Sequence, residues 1–164
     1  MIRKAVEDDL SRVMEIVAQA VQEMQKEGND QWDTNYPARA DFAKDIQEAT
    51  LFVWDDSGSI QGVLCLGERQ PAEYQGVCWQ TKEPCFVIRR MAVAMEARRN
   101  GIGRGMMAFA QEYALAKGVH DIRTNTYSRN PRMNRLFEAC GYTFVGHISF
   151  KGRAFLFNCY EKQF

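Results

Sequence analysis

Apolar residues recur three or four positions apart in four segments of the chain, and this spacing predicts four helices. Gly28, Gly118 and Gly141 follow three of these segments, as glycine commonly does at a helix C-terminus. Asn130 and Pro131 precede the last segment and are typical of an N-cap and a first helical residue. The predicted helices cover residues 10–24, 38–49, 101–117 and 131–141.

Runs rich in β-branched and aromatic residues lie between these helices and predict strands. Residues 55–58 form a turn-type cluster between two of the runs, and Lys151 with Gly152 separates the last two. Residues 69–84 are rich in polar and turn-forming residues and predict a long irregular connection. The predicted strands cover residues 2–6, 51–54, 59–67, 85–93, 120–127, 142–150 and 154–160.

The order of these elements is β-α-α-β-β-β-α-β-α-β-β. Such an order predicts an α/β or α+β layered domain with a mixed sheet. No internal repeat, low-complexity tract or linker interrupts the pattern, so we expect residues 1–164 to form a single domain.

The composition narrows the classes of partner. The 21 Lys and Arg residues balance 21 Asp and Glu residues, which argues against a nucleic acid or a membrane surface as partner. The five cysteines include no C-x-x-C pair, so we expect no metal site and a reducing compartment. Because the N-terminal residues lack the apolar segment of a signal peptide, a cytoplasmic location is expected.

The segment that carries chemistry follows the predicted strand 85–93 and opens the third helix. Glycine lets an anion approach the backbone closely, and the first amides of a helix lack acceptors and point outward. The helix dipole adds partial positive charge, so the segment is suited to a diphosphate. Its charged and glycine positions are Arg98, Arg99, Gly101, Gly103, Arg104 and Gly105.

Three kinds of phosphate-binding loop were compared with this segment. A Walker A loop requires a G-x-x-x-x-G-K-[ST] string, which the chain does not contain. A dinucleotide fingerprint requires G-x-G-x-x-G and an acid at a strand end, whereas this loop is G-x-G-x-G and Asp121 begins a predicted strand. Arg98-x-x-Gly101-x-Gly103, after Met91-x-Val93, resembles the coenzyme A loop of the GNAT superfamily of N-acetyltransferases.

A second segment is similar to a later motif of the same family, N-x-x-A-x-x-x-Y-x-x-x-G-[F/Y]. Here Asn130 begins the motif, Met133 and Phe137 stand at its alanine and tyrosine positions, and Gly141-Tyr142 ends it. The resemblance extends over essentially the whole chain. It implies a three-layer domain with a central mixed, mostly antiparallel sheet of about six to seven strands, flanked by helices and containing a splayed strand pair.

The resemblance implies transfer of an acetyl group from acetyl-CoA to a primary amine, by direct attack in a ternary complex. The strand before the loop would contact the pantetheine arm through its backbone. Asn130 would bind the same arm, and Arg135 the 3′-phosphate. The cofactor-binding residues implied are Met91, Ala92, Val93, Arg98, Arg99, Asn100, Gly101, Ile102, Gly103, Arg104, Asn130, Arg135 and Phe137.

Phe137 departs from the family pattern, because it has no proton to give to the leaving thiol. The alternative to an enzyme is therefore an acyl-CoA-binding or regulatory module with weak or no catalysis. Tyr127 is a candidate acid, although an aromatic capping the sheet edge is the simpler interpretation. Glu68 is the candidate general base.

Two regions are candidates for binding the acceptor amine. Residues 29–37 carry two exposed-type aromatics, Trp32 and Tyr36, and residues 69–84 carry Glu73 and Tyr74. A substrate wall and simple packing or solvation both remain open for these residues. The sequence also leaves open the identity of the amine and whether the protein is a monomer or a homodimer.

Overall fold

A computed structural model describes all 164 residues and confirms the predicted order of elements. Short 3-10 turns precede α1, interrupt the long connection and follow β4. The strands and helices are β1 (Ile2–Lys4), α1 (Leu10–Lys26), α2 (Arg39–Gln47), β2 (Leu51–Asp56), β3 (Ser59–Gly67), β4 (Phe86–Val93), α3 (Ile102–Ala116), β5 (Asp121–Tyr127), α4 (Pro131–Ala139), β6 (Thr143–Ile148) and β7 (Phe157–Gln163).

The strands form one seven-stranded sheet in the order β1-β2-β3-β4-β5-β7-β6. The β1–β2, β2–β3, β5–β7 and β6–β7 pairs are antiparallel, whereas β4 and β5 are parallel. The β4–β5 ladder ends at Ile88 and Thr124, although both strands continue beyond it. The sheet is therefore mixed and mostly antiparallel, and it contains the splayed strand pair that the resemblance implied.

The C-terminal hairpin is the element that differs most from its prediction. Its second strand begins at Phe157 rather than at residue 154, because Phe155 and Leu156 are exposed in a connection longer than the Lys151–Gly152 turn. The strand then continues to Gln163, which pairs with Asp121 of β5. Its register is set by pairing on both sides, so the aromatic pattern alone could not define its ends.

Backbone contacts divide the chain into two compact units, and β4 and α3 each contribute residues to both. The first unit comprises Met1–Leu66 and Arg90–Met106, and the second comprises Gly67–Arg89 and Met107–Phe164. Fully buried residues of the first unit include Val13, Ile16, Phe42, Val53, Val63 and Met106. The core cluster of the second consists of Tyr74, Cys85, Val87, Tyr127, Ile148, Phe157 and Cys159. None of the helices is long and apolar enough to cross a membrane.

Candidate functional site

The loop between β4 and α3 turns sharply before the helix begins. The amide of Ala94 donates to the carbonyl of Gln61 at 2.8 Å and holds the end of β4 in place. Arg99 and Gly101 then adopt left-handed φ angles of 66° and 79°, and the amide of Gly105 donates the first helical bond back to Gly101. The earlier amides of α3 have no acceptor within the helix, which is the geometry that binds an anion.

Gly101, at the end of this loop, and Gly105, in the first turn of α3, have different physical roles. Gly101 has a left-handed φ and no heavy atom within 4 Å of a Cβ built there, so its surroundings are open. A Cβ on Gly105 would lie 2.5 Å from the indole of Trp54. The absence of a side chain at Gly105 therefore allows the helix to pack against β2.

The arginines of the loop and of the first turn of α3 differ in burial and in their ion-pair partners. Arg98 is half-buried and forms an ion pair with Glu23 near the end of α1. Arg99 and Arg104 are exposed. A second ion pair joins Arg12 of α1 to Glu96, so side chains of α1 brace the loop at two points. Ile102 is buried, which leaves only its backbone to meet a ligand.

Sequence reasoning missed a buried ion pair that contacts β4. Asp45 of α2 accepts two hydrogen bonds from Arg90, from Nε at 2.9 Å and from Nη2 at 2.6 Å. The remaining terminal nitrogen of Arg90 donates to the hydroxyl of Tyr36 at 3.2 Å, and burial raises the pKa of this tyrosine. Two sequence signals could have identified this pair: an arginine inside an apolar strand, and an aspartate on the inner face of a helix.

The residues 29–37 form an ordered loop in the first unit. Asp33 accepts hydrogen bonds from the amides of Asn35 and Tyr36, at 2.7 and 2.8 Å. Trp32 is only 6% exposed, so the expectation of an exposed aromatic is wrong for it, while Tyr36 is half-buried. The tryptophan packs into the core because a tight, internally bonded loop turns it inward.

The second unit contains the other predicted cofactor residues. Asn130 accepts a hydrogen bond from the amide of Met133 at 3.2 Å, which confirms the predicted N-cap. Phe137 is 1% exposed and packs against the rings of Tyr142 and Tyr160. Arg135 is exposed on the same helix.

The residues predicted for proton transfer and acceptor binding lie in very different environments. Glu68 and Glu73 are exposed. Tyr127 is fully buried within the core cluster, and its hydroxyl accepts a hydrogen bond from the amide of Phe155 at 3.2 Å. A sheet-edge cap is therefore the wrong description of its place in the fold.

Tyr74 is buried in the connection 69–84, so solvation, one of the interpretations left open for it, is wrong. It is 1% exposed, its hydroxyl accepts from Asn125 at 2.7 Å, and its carbonyl accepts from the indole of Trp79 at 2.9 Å. Burial raises the pKa of this tyrosine far above its ordinary value. Tyr74 thus anchors the long connection to the core of its unit.

A buried charged cluster, which sequence reasoning also missed, anchors the same connection. Arg123 of β5 donates to the side chain of Gln70 at 2.8 Å and to the carbonyl of Thr81 at 2.6 Å. Glu161 of β7 accepts from the amide of Gln80 at 2.6 Å. Asp121 lies against Arg123, and burial together with the neighbouring Glu161 raises the pKa of Asp121 to about 6.

The chain is similar to known proteins in both sequence and structure. The model of the Acetyltransferase (GNAT) family matches residues 15–142. No curated protein matches the sequence significantly. At 22% identity, the structure of a GNAT-family acetyltransferase from Streptococcus agalactiae 2603 superposes with a TM-score of 0.86, covering 100% of this chain and 95% of that one.

Two further structures are similar over nearly their whole length. The ribosomal-protein-alanine N-acetyltransferase of Brucella melitensis has a TM-score of 0.74 at 21% identity, with 100% and 99% of the two chains covered. The yncA protein of Salmonella typhimurium, whose structure was determined with its cofactor acetyl-CoA, has a TM-score of 0.72 at 17% identity, with 99% and 92% covered. At these identities, the likeness establishes the fold.

Proposed function

Because the chain belongs to the GNAT acetyltransferase family, we propose that it transfers an acetyl group from acetyl-CoA to a primary amine by direct attack in a ternary complex. The observation that carries the proposal is the turn at Arg99 and Gly101, which opens α3 with outward-pointing amides beside arginines. These residues fit a diphosphate in charge, backbone conformation and open space at Gly101.

The roles proposed for the cofactor residues are those that the resemblance to the family implies. The amides of Ile102, Gly103 and Arg104 bind the diphosphate, and the side chains of the loop arginines with Asn100 surround it. The backbone of Met91, Ala92 and Val93 binds the pantetheine arm, because the β4 ladder with β5 ends before these residues. On α4, Asn130 binds the arm, Phe137 lines the site, and Arg135 reaches the 3′-phosphate.

The residues of the chain are assigned three roles: they orient the thioester and the amine, stabilise the charge that develops on the thioester oxygen, and transfer protons. A backbone N–H near Val93 stabilises the negative charge that develops on the thioester oxygen. An amine with a pKa of ~10.4 is neutral about once in 10³ at pH 7, so a general base is valuable. We assign this role to the exposed carboxylate of Glu68, and proton donation to the leaving thiol to Tyr127.

The acceptor is proposed to bind near the ordered loop 29–37, with Trp32 and Tyr36 as the contributing aromatics. In the connection 69–84, Glu73 is the exposed polar candidate, and Tyr74 contributes by holding the connection in place. The amine itself is not specified by these residues.

The proposal is tested by measuring acetyl-CoA binding calorimetrically and thiol release with a panel of small amines, polyamines, amino acids and peptides. We expect Gly103→Val to abolish acetyl-CoA binding, since its side chain would stand where the diphosphate approaches the helix. Retained affinity in a folded variant would contradict the assignment of the loop.

A second candidate function, an acyl-CoA-binding module with weak or no catalysis, is favoured by one observation. Phe137 is buried at the position where the family commonly has tyrosine, and it has no proton to donate. Tight binding of acetyl-CoA without turnover of any amine would support this alternative. Substitution Phe137→Tyr is expected to raise or leave unchanged the rate of an active enzyme.

A further inference from the structure

Arg90 has an unusual backbone conformation in the middle of a strand. Its φ is 41°, in the left-handed region, while β4 continues on both sides from Phe86 to Val93. Such a conformation costs a non-glycine residue of order 1 kcal/mol or more and persists only where the surroundings hold it. The ladder between β4 and β5 ends at Ile88, two residues before Arg90. The chain is therefore bent where β4 leaves its neighbour.

The side chain of Arg90 supplies the restraint. Its guanidinium is 10% exposed and makes a bidentate ion pair with Asp45, which is 1% exposed. Two parallel hydrogen bonds fix the orientation of both planar groups, so the pair is more directional than a point-charge contact. Asp45 belongs to α2, and its backbone carbonyl accepts from the amide of Thr50 at 2.9 Å, directly before β2. The anchor is thus itself built into the core of the first unit.

The same guanidinium also holds the loop that precedes α2. Its third bond goes to the hydroxyl of Tyr36, and the backbone of Tyr36 is fixed by Asp33 on the other side of the turn. The side chain of Arg90 therefore connects β4 to loop 29–37, and these two segments have different proposed roles. Loop 29–37 is proposed to face the acceptor, and the residues directly after Arg90 are proposed to hold the thioester.

We propose that Arg90, held by Asp45, is a positioning residue for acetyl transfer. This inference rests on the proposed function. The pair keeps the bent backbone of β4 in place, so that the amide that polarises the thioester carbonyl points correctly. Through Tyr36 the pair also keeps loop 29–37 in a fixed position relative to that backbone. Neither side chain touches the reacting atoms.

The size of the expected effect follows from the need for alignment. A displacement of about 1 Å at a reacting group can lower the rate ~10²-fold, whereas the diphosphate would still be bound by the loop at α3. Loss of the pair should therefore lower kcat ~10- to 100-fold and change the Kd for acetyl-CoA less than ~3-fold. Loss of a purely structural ion pair would instead lower the apparent kcat and raise the apparent Kd together, in proportion to the loss of folded protein.

Three variants separate these two roles. Arg90→Met leaves the carboxylate of Asp45 buried without its ion-pair partner, which is destabilising. The double variant Arg90→Met/Asp45→Leu removes both charges and is therefore measured beside it. Buried pairs replaced by apolar residues of similar volume often keep their stability. Arg3→Met is the matched control, because Arg3 makes the same kind of bidentate pair with Asp9 and belongs to the same unit.

The first readout needs no acceptor. Acetyl-CoA labelled with ¹³C at the carbonyl is bound to each protein, and the carbonyl stretch is recorded by isotope-edited infrared spectroscopy. Hydrogen bonding by the β4 amide should lower this frequency in the wild type and in Arg3→Met. The double variant should bind acetyl-CoA with nearly unchanged Kd and return the frequency toward that of free acetyl-CoA. With any amine that the wild type acetylates, kcat should fall as stated above.

The outcomes are distinct. If the wild type does not bind acetyl-CoA, the proposed function fails. If it binds, and a folded double variant keeps both the lowered carbonyl frequency and the wild-type kcat, the positioning role of Arg90 is overturned while the proposed function stands. A shifted frequency with intact binding supports the inference.

Discussion

Gly101 lies just before α3 and Gly105 lies in its first turn, and the two glycines are required for unrelated reasons. Gly101 relieves the strain of a left-handed φ of 79° in open surroundings. Gly105 has no Cβ, and a Cβ at this position would collide with Trp54 inside the first unit. The spacing of the glycines therefore combines a backbone requirement at Gly101 with a packing requirement at Gly105, and the sequence does not separate the two.

Gly105→Ala is expected to destabilise the protein. The new Cβ would lie 2.5 Å from the indole of Trp54, and overpacking of this kind costs about 1–3 kcal/mol, partly offset by the better helix propensity of alanine. Urea unfolding measures the difference. Gly76→Ala is the control, since nothing lies within 4 Å of a Cβ there, and it should change the free energy of unfolding by less than about 0.5 kcal/mol. Equal effects of both changes would contradict the packing role.

Glu23→Gln is expected to strengthen binding of acetyl-CoA. Glu23 pairs with Arg98 and places a negative charge beside the loop that is proposed to receive two phosphates. Removing that charge should lower the Kd about 2- to 5-fold, the range expected of a partly exposed ion pair. Calorimetry at low ionic strength measures the change, and Glu15→Gln, which alters another carboxylate of α1, is the control. An unchanged or weaker affinity would show that Arg98 does not contact the ligand.

At the scale of elements, the connection 69–84 shows how an irregular segment can be held firmly. Its composition predicts a loop, but Tyr74, Arg123 and Glu161 supply it with buried hydrogen bonds. A ring contact reinforces them, since the guanidinium of Arg123 lies 4.6 Å from the ring centroid of Trp79. The pattern of polar residues identified the connection, while its rigidity depends on partners in β5 and β7.

The stability of this anchor should depend on pH through Asp121. Its pKa is raised from 3.8 to about 6, so its contribution to stability is complete below about pH 4 and is lost as the pH rises through 6. Between pH 4.5 and 7.5, the free energy of unfolding of the wild type should therefore fall by about 1–2 kcal/mol more than that of Asp121→Asn. Urea unfolding at the two pH values measures this difference.

Asp9 provides a control, because its pKa is shifted in the opposite direction to that of Asp121. Hydrogen bonds from Arg3 lower the pKa of Asp9, so its contribution is present at neutral pH and is lost only as the pH falls below the ordinary range of a carboxyl. Asp9→Asn should therefore alter the acid limb of the stability curve and leave the slope between pH 4.5 and 7.5 nearly unchanged. An Asp121→Asn protein with the wild-type slope over that interval would contradict the assignment.

At the scale of the whole molecule, a balanced net charge conceals a local cluster of arginines. The total of 21 basic and 21 acidic residues argues against a polyanionic partner, yet Arg98, Arg99 and Arg104 lie around one helix start. Several of the chain's carboxylates are occupied in ion pairs, among them those of Glu23, Asp45 and Glu96. Overall charge therefore says little about a ligand as small as one diphosphate.

Ligand-dependent stability tests the proposed specificity for coenzyme A. A ligand that binds only the folded chain stabilises it by about 2.7 kcal/mol at a concentration 100 times its Kd. Thermal unfolding with acetyl-CoA and with CoA should show this stabilisation, and ATP or NAD at the same concentration should give little or none. Equal stabilisation by NAD would favour a different nucleotide-binding function for the loop.

The order of elements, the mixed sheet and the glycine loop were predictable from the sequence because their causes are local. Helical spacing, turn residues and the Asn130 cap act within a few residues of one another. The ends of β7 were not predictable, since pairing with β5 and β6 sets them. The roles of individual side chains were the least predictable part of the candidate site.

The sequence by itself determined the family resemblance, the class of cofactor to be expected and the place of the loop along the chain. Only the tertiary structure decided that Trp32 and Tyr74 are buried, that Arg98 is paired, and that the backbone of β4 turns left-handed at Arg90. The physical reason is the distance along the chain between partners: Arg90 and Asp45 are 45 residues apart. Such contacts form only when the fold brings their elements together, and no local pattern encodes them.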